Sequence, residues 1–206
     1  MKSMNSSQSG TVDKAEAILN GAMQEFLQRG YTATSMDKVA KAAGVSKATV
    51  YSHFQDKEGL FVALVKRLAQ QRFTEVLGEG NFPSHEMEPR IFLKQFLTRG
   101  LEKALQDKEY HDFIRLIIGE SGRFPELAQT FITYGGKLVV GFMTQYLKSH
   151  PELNIKDPEA TARIVMGAMV HYVMVEELLH CKDILPLESD RLIDSLVDLL
   201  VGDGDN

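Results

Sequence analysis

The 206-residue sequence contains no tryptophan, a single cysteine and only six prolines. One cysteine, Cys181, excludes an internal disulfide framework and fits a reducing cytoplasm, where the protein is expected to reside. The longest apolar runs, such as the one around Leu138 to Met143, are far too short to cross a bilayer, so no membrane partner is expected. The opening MKSMNSSQSG lacks the apolar stretch of a secretory signal and reads as a disordered leader over residues 1–10. Sustained alternation of apolar and polar residues, the mark of strands, is absent, and so is any fixed-period repeat.

Signatures of catalysis are missing as well. GGKLVVG, from Gly135 to Gly141, lacks the spacing of a phosphate loop, and GESG, from Gly119 to Gly122, is not a nucleophile elbow. His171, His180 and Cys181 do not fall at the i, i+4 spacing of a helical metal site. No enzymatic activity, cofactor or metal is expected.

Charge is in modest excess overall, a net −5, but it is unevenly placed. Residues 1–72 carry ten Lys/Arg against six Asp/Glu, a net +4, and residues 73–206 carry −9. Screening confines a charged face to a range of about 10 Å, so a basic head on an acidic body is compatible with DNA binding.

What is present is helical periodicity. Ala15, Ile18, Leu19, Ala22, Met23 and Phe26 line one face of a first helix, which Thr11 or Asp13 could cap and Gly30 stops. Thr34 or Ser35 caps a short second helix that Gly44 ends, Ser46 caps a third, and Asp56 opens a longer fourth. A joint is expected at Gly78, Gly80, Pro83 and Pro89. Five further stretches follow, near 89–106, 109–119, 125–149, 158–181 and 189–201. The expectation is an all-α protein of about nine helices.

Within it, SMDKVAKAAGVSKATVYSHF, Ser35 to Phe54, meets the demands of a helix-turn-helix. Ala40 is small where a second helix crosses. Gly44, four residues on, can take the left-handed conformation at the helix end. Val39, Val45 and Val50 supply the apolar contacts, and Ser46 fixes which side chains project from the start of the next helix. Lys47, Ala48, Thr49, Ser52 and His53 then form a basic, small and hydroxyl-bearing face suited to a major groove.

Residues 11–71, and above all GVSKATVYSHF with DKEGL behind it, resemble the DNA-binding domain of the TetR family of regulators. The resemblance implies an N-terminal three-helix helix-turn-helix domain over 11–71, followed by a helical ligand-sensing and dimerisation domain over 72–206. It implies that the third helix reads DNA. Lys47 would meet a phosphate or base edge, Ala48 and Thr49 the groove floor, and Tyr51 and His53 phosphates, with Ser46 as cap. Thr34 or Ser35 and Lys57 would grip the flanking backbone. It further implies a homodimer through the helices near 158–181 and 189–201, on pseudo-palindromic double-stranded operator DNA. A small, mainly apolar or aromatic effector would lie among Phe92, Phe96, Phe113, Ile117, Phe142, Met143, Tyr146 and Met166. A repressor released by that effector is the expectation. An activator would share the same head, and a helical scaffold that had lost DNA binding the same helices, although nothing in the reading face looks degraded.

Overall fold

The computed structural model describes residues 5–77 and 87–202, with side chains from residue 14 onward, and the described residues contain helices and no strand. The helices are α1 (Asn5–Ala33), α2 (Met36–Ala42), α3 (Lys47–His53), α4 (Lys57–Leu77), α5 (Pro89–Gln106), α6 (Lys108–Glu120), α7 (Pro125–Phe131), α8 (Lys137–Ser149), α9 (Pro158–Val173) and α10 (Ser189–Val201). A π-helical turn, Ile132–Gly136, carries α7 into α8, so the stretch read as one helix over 125–149 is helical throughout. A second π-helical turn, Met174–Leu178, ends the helix begun by α9, three residues short of the expected 181.

Two sequence readings are corrected at the N-terminus. Residues 5–10, assigned to a leader, are the first turns of α1, which therefore begins ahead of the expected start at Thr11 or Asp13. Extending a nucleated helix costs far less than starting one, so a polar stretch continues the ladder of the amphipathic segment that follows. At the other end Gly30 departs from helical geometry, at φ 75° and ψ 169°, and stops regular α1 as its sequence position suggests. Gly78, Gly80 and Pro83 lie outside the described residues, and Pro89 is the first residue of α5.

The chain divides into two compact units. The first holds the N-terminal residues through Leu68 together with Asp112–Tyr134. Its core joins Ile18, Ala22 and Phe26 of α1 to Met36 and Val39 of α2, Val50 of α3, and Leu60, Phe61 and Leu64 of α4. Phe113 and Ile117 of α6 and Leu127 of α7 close the same core. Aromatic rings thread it: Phe61 contacts Phe26 at 5.6 Å, Tyr31 at 5.7 Å and Phe113 at 5.6 Å, and Tyr31 meets Phe124 at 5.1 Å. Each such ring, fully buried, contributes about 1.5–3 kcal/mol.

The second unit holds Ala69–His111 and the residues from Gly135 onward. Phe92, Leu93, Phe96 and Leu97 of α5 pack with Met143, Tyr146 and Leu147 of α8, Val165, Met169 and Tyr172 of α9, and Ile193, Leu196, Val197 and Leu200 of α10. Along the outside, Arg90–Asp198 (2.6 Å) and Lys94–Asp194 (2.7 Å) link α5 to α10. The Tyr172 hydroxyl donates to the Leu187 carbonyl at 2.9 Å and ties α9 to the segment entering α10.

Candidate nucleic-acid interface

The helix-turn-helix is held by its caps. Ser35 Oγ accepts from the Lys38 amide, and Ser46 Oγ accepts from the Thr49 amide at 3.1 Å. Between them Gly44 takes φ 66°, which a side chain rarely tolerates. Its neighbours complete the helix stop, with Val45 N donating to Ala40 O at 3.0 Å and Gly44 N to Lys41 O at 3.3 Å. Val39 and Val50 are fully buried, and Val45 packs, partly buried, against the same core.

That frame presents Lys47, Ala48, Tyr51 and Ser52 to solvent, with Thr49 and His53 half-buried at the margins. The exposed large aromatic among them, Tyr51, stands beside the Lys47 ammonium, 5.8 Å from its ring centroid. A cation, a phenol, hydroxyls and a bare methyl on one short, rigid helix can meet phosphates, base edges and a thymine methyl.

Two flanking residues are placed differently from the expectation. Thr34 is buried, its hydroxyl within hydrogen-bond distance of the Glu25 carbonyl (3.0 Å) and the Gly30 carbonyl (2.8 Å). It closes the end of α1, while Ser35 alone caps α2. Lys57 turns inward: its ammonium donates to the carbonyls of Tyr31 (2.8 Å), Thr34 (3.2 Å) and Thr32 (3.4 Å) and sits 4.4 Å from the Tyr31 ring centroid. Burial pushes its pKa below the usual lysine value, and the nearby Glu120 carboxylate works the other way. A lysine early in α4 thus supplies the donors that the carbonyls at the end of α1 need, and its ammonium is held against the fold.

Sequence reasoning passed over two residues of the helix-turn-helix and its support, one buried and one exposed. Gly21, in mid-α1, is where that helix approaches the end of α2: a Cβ there would stand 2.9 Å from the Ala43 amide nitrogen. A glycine on an otherwise apolar face was the available signal. Asp37, in the first turn of α2, accepts from Lys47 Nζ at 2.7 and 3.0 Å through its two oxygens, and this pairing raises the lysine pKa. Contact across the turn between residues ten apart has no helical period to betray it.

The eight residues read as an effector pocket do not form one group. Phe92, Phe96, Met143 and Tyr146 share the core of the second unit, with Phe142 packed against it. Phe113 and Ile117 belong instead to the core of the first unit. Met166 is half-buried on α9. An apolar stripe on α6 carries no mark of which unit it serves, because the partition follows from tertiary contacts.

A two-helix unit with a capped, exposed second helix defines the class of helix-turn-helix DNA-binding proteins. Residues 18–64 match the family described as bacterial regulatory proteins, tetR family, and residues 93–202 match the AefR-like transcriptional repressor, C-terminal domain. The uncharacterized HTH-type transcriptional regulator YhgD of Bacillus subtilis strain 168 is 31% identical over 179 residues, covering 82% of this chain and 87% of its own length. Among solved structures, a TetR-family regulator of Mesorhizobium loti aligns with a TM-score of 0.75 and 26% identity, covering 93% of this chain and 96% of that one. The Flavonoid-responsive Regulator FrrA aligns with a TM-score of 0.74 and 28% identity, covering 91% and 95%. The chain belongs to the TetR family and is a DNA-binding transcriptional regulator.

Proposed function

We propose that this regulator represses transcription by holding a pseudo-palindromic operator as a homodimer and lets go when a small, mainly apolar or aromatic effector enters its C-terminal unit. The observation that carries the DNA half is the capped α3 with Lys47, Ala48, Thr49, Tyr51 and His53 at its outer face and margins. Ser35 and Ser46 act through the caps they form. Thr34 and Lys57, being engaged with backbone carbonyls, serve the frame rather than the phosphates. The repressor sign is supported by the match of residues 93–202 to an AefR-like repressor domain.

Dimerisation draws on what the second unit leaves uncovered. Most apolar residues of α9 and α10 are consumed by the unit's own core, including Val165, Met169, Ile193, Leu196 and Leu200. Ile164, at 68% exposure, Gly167, Val170 and His171 remain on the outer face of α9, and Leu199, at 80%, on that of α10. A second copy covering these residues is the reading they support. Two heads so joined would sit in successive major grooves, about 34 Å apart.

The effector reading is supported by the layered aromatic core of Phe92, Phe96, Phe142 and Tyr146 and by the similarity to a flavonoid-responsive protein. Tyr146 has both ring faces occupied, by Phe92 at 4.1 Å and His150 at 4.1 Å, and its buried hydroxyl has no partner among the described residues. That hydroxyl is the polar anchor an aromatic effector would engage. Both α4 and α6 start in one unit and end in the other, so a shift of either in the second unit is carried by the chain into the first. A coupling of about 1–3 kcal/mol is enough for such a switch. A cytoplasmic location follows from this role. Sequencing the DNA fragments retained by the purified protein tests the reading: a shared pseudo-palindrome is expected, and a retained pool without sequence enrichment refutes it.

A further inference from the structure

Asp37 stands on the surface assigned to DNA, and its charge opposes that of the partner. Its two oxygens lie 2.7 and 3.0 Å from Lys47 Nζ, spanning from the first turn of α2 to the first residue of α3. Both side chains are about 60% exposed, so the pair adds little to folding. As a first-turn acid Asp37 adds a modest stabilisation at the start of α2, which does not account for its grip on Lys47. A free lysine samples many rotamers and offers its charge to any phosphate within reach. One gripped by two carboxylate oxygens, with an aromatic ring alongside, is offered at one place and as half of a neutral pair.

We propose that Asp37 is a positioning and specificity residue, which cancels the charge of Lys47 toward DNA in general and aims its ammonium, in the gap between α2 and α3, at an acceptor that only the fitted operator presents. This rests on the reading of α3 as the recognition helix with Lys47 as a contact. Loosely docked DNA meets a neutral pair at this point. The operator, seated closely, meets a donor already held in position, and its acceptor shares or takes over the ammonium from the carboxylate.

The test uses the full chain, an operator duplex recovered by selection, and a scrambled duplex of equal length, titrated by fluorescence anisotropy across a range of salt. Asp37→Asn is expected to bind the scrambled duplex about 3–10 times more tightly and to steepen the slope of log K against log salt by about one. The ratio of operator to scrambled affinity should fall by a similar factor, and Asp37→Glu should restore it. In a Lys47→Ala background Asp37→Asn should leave the ratio unchanged. An unchanged ratio in the Asp37→Asn single variant overturns the inference while leaving the recognition helix intact. A ratio that falls equally without Lys47 also overturns it, since the carboxylate would then act on DNA directly. Full operator affinity in Lys47→Ala alone sinks the reading beneath it. Matching thermal melts of Asp37→Asn and the parent exclude a folding effect.

Discussion

Gly21→Ala isolates the closest backbone approach in the head. In an open helix interior this exchange stabilises by roughly 0.8–1 kcal/mol, because alanine loses less conformational freedom. At this position the new Cβ would lie 2.9 Å from the nitrogen of Ala43, 3.2 Å from its Cα and 3.2 Å from its Cβ. Comfortable contacts begin at about 3.5 Å. The obstacle is backbone pinned by the hydrogen bonds of Gly44 and Val45, so relief requires α1 and α2 to part or the turn to open. Overpacking of this kind costs about 1–3 kcal/mol. After the propensity gain, a net loss of up to about 2 kcal/mol remains, equivalent to a fall in Tm of up to roughly 8 °C for a chain of 206 residues. Melting followed by circular dichroism at 222 nm, with operator titration alongside, measures it. Gly119→Ala is the control in the same unit, since nothing lies within 4 Å of a Cβ built there. It should be neutral or stabilising by up to about 1 kcal/mol. A Gly21→Ala protein melting at or above the parent, in step with Gly119→Ala, would refute the reasoning.

Other perturbations probe the remaining devices. Gly44→Ala meets open space but keeps a φ of 66°, so backbone strain alone should cost about 1–2 kcal/mol, read from urea midpoints. Lys57→Met keeps the aliphatic stem and removes the ammonium from the carbonyls of Tyr31, Thr32 and Thr34; a loss of about 1–2 kcal/mol is expected, and an unchanged midpoint would mean those carbonyls are equally well served by water. Tyr146→Phe deletes a buried hydroxyl without a partner among the described residues and should raise stability at neutral pH by about 1 kcal/mol. Burial holds the Tyr146 phenol up at about 12. Its folded form therefore keeps a proton that the unfolded chain has lost, and its contribution, intact below the ordinary tyrosine pKa near 10, fades as pH rises toward 12. The parent's urea midpoint should accordingly fall more steeply above pH 10 than that of Tyr146→Phe, and parallel curves would contradict this.

Local chemistry made much of the molecule readable. The stop at Gly30, the left-handed Gly44, and the caps at Ser35 and Ser46 are each dictated by residues within a turn of one another, and the structure shows all four. The span from Pro89 to Gln106 was legible from a proline and an apolar stripe. Long-range placement was less accessible. Lys57 carries the same charge whether it faces a phosphate or three carbonyls 23 to 26 residues away, and only the packing of α4 against the end of α1 decides. Phe113 and Ile117 satisfy a pocket and a core equally well by pattern. Thr34 and Ser35 are adjacent hydroxyls with equal claims as caps until the backbone turns one of them inward.

The participation of Asp112–Tyr134 in the first unit bears on how such regulators can be recombined. The DNA reader occupies the start of the sequence, yet its globule is closed by Phe113, Ile117, Phe124 and Leu127 from much later in the chain. A chimera spliced after residue 71 would bring a foreign α6 and α7 against Tyr31 and Phe61, two rings shaped to Phe124 and Phe113. Exchanging operator specificity between relatives thus calls for two grafts, the N-terminal stretch and the segment 112–134, transplanted together as one interlocking piece.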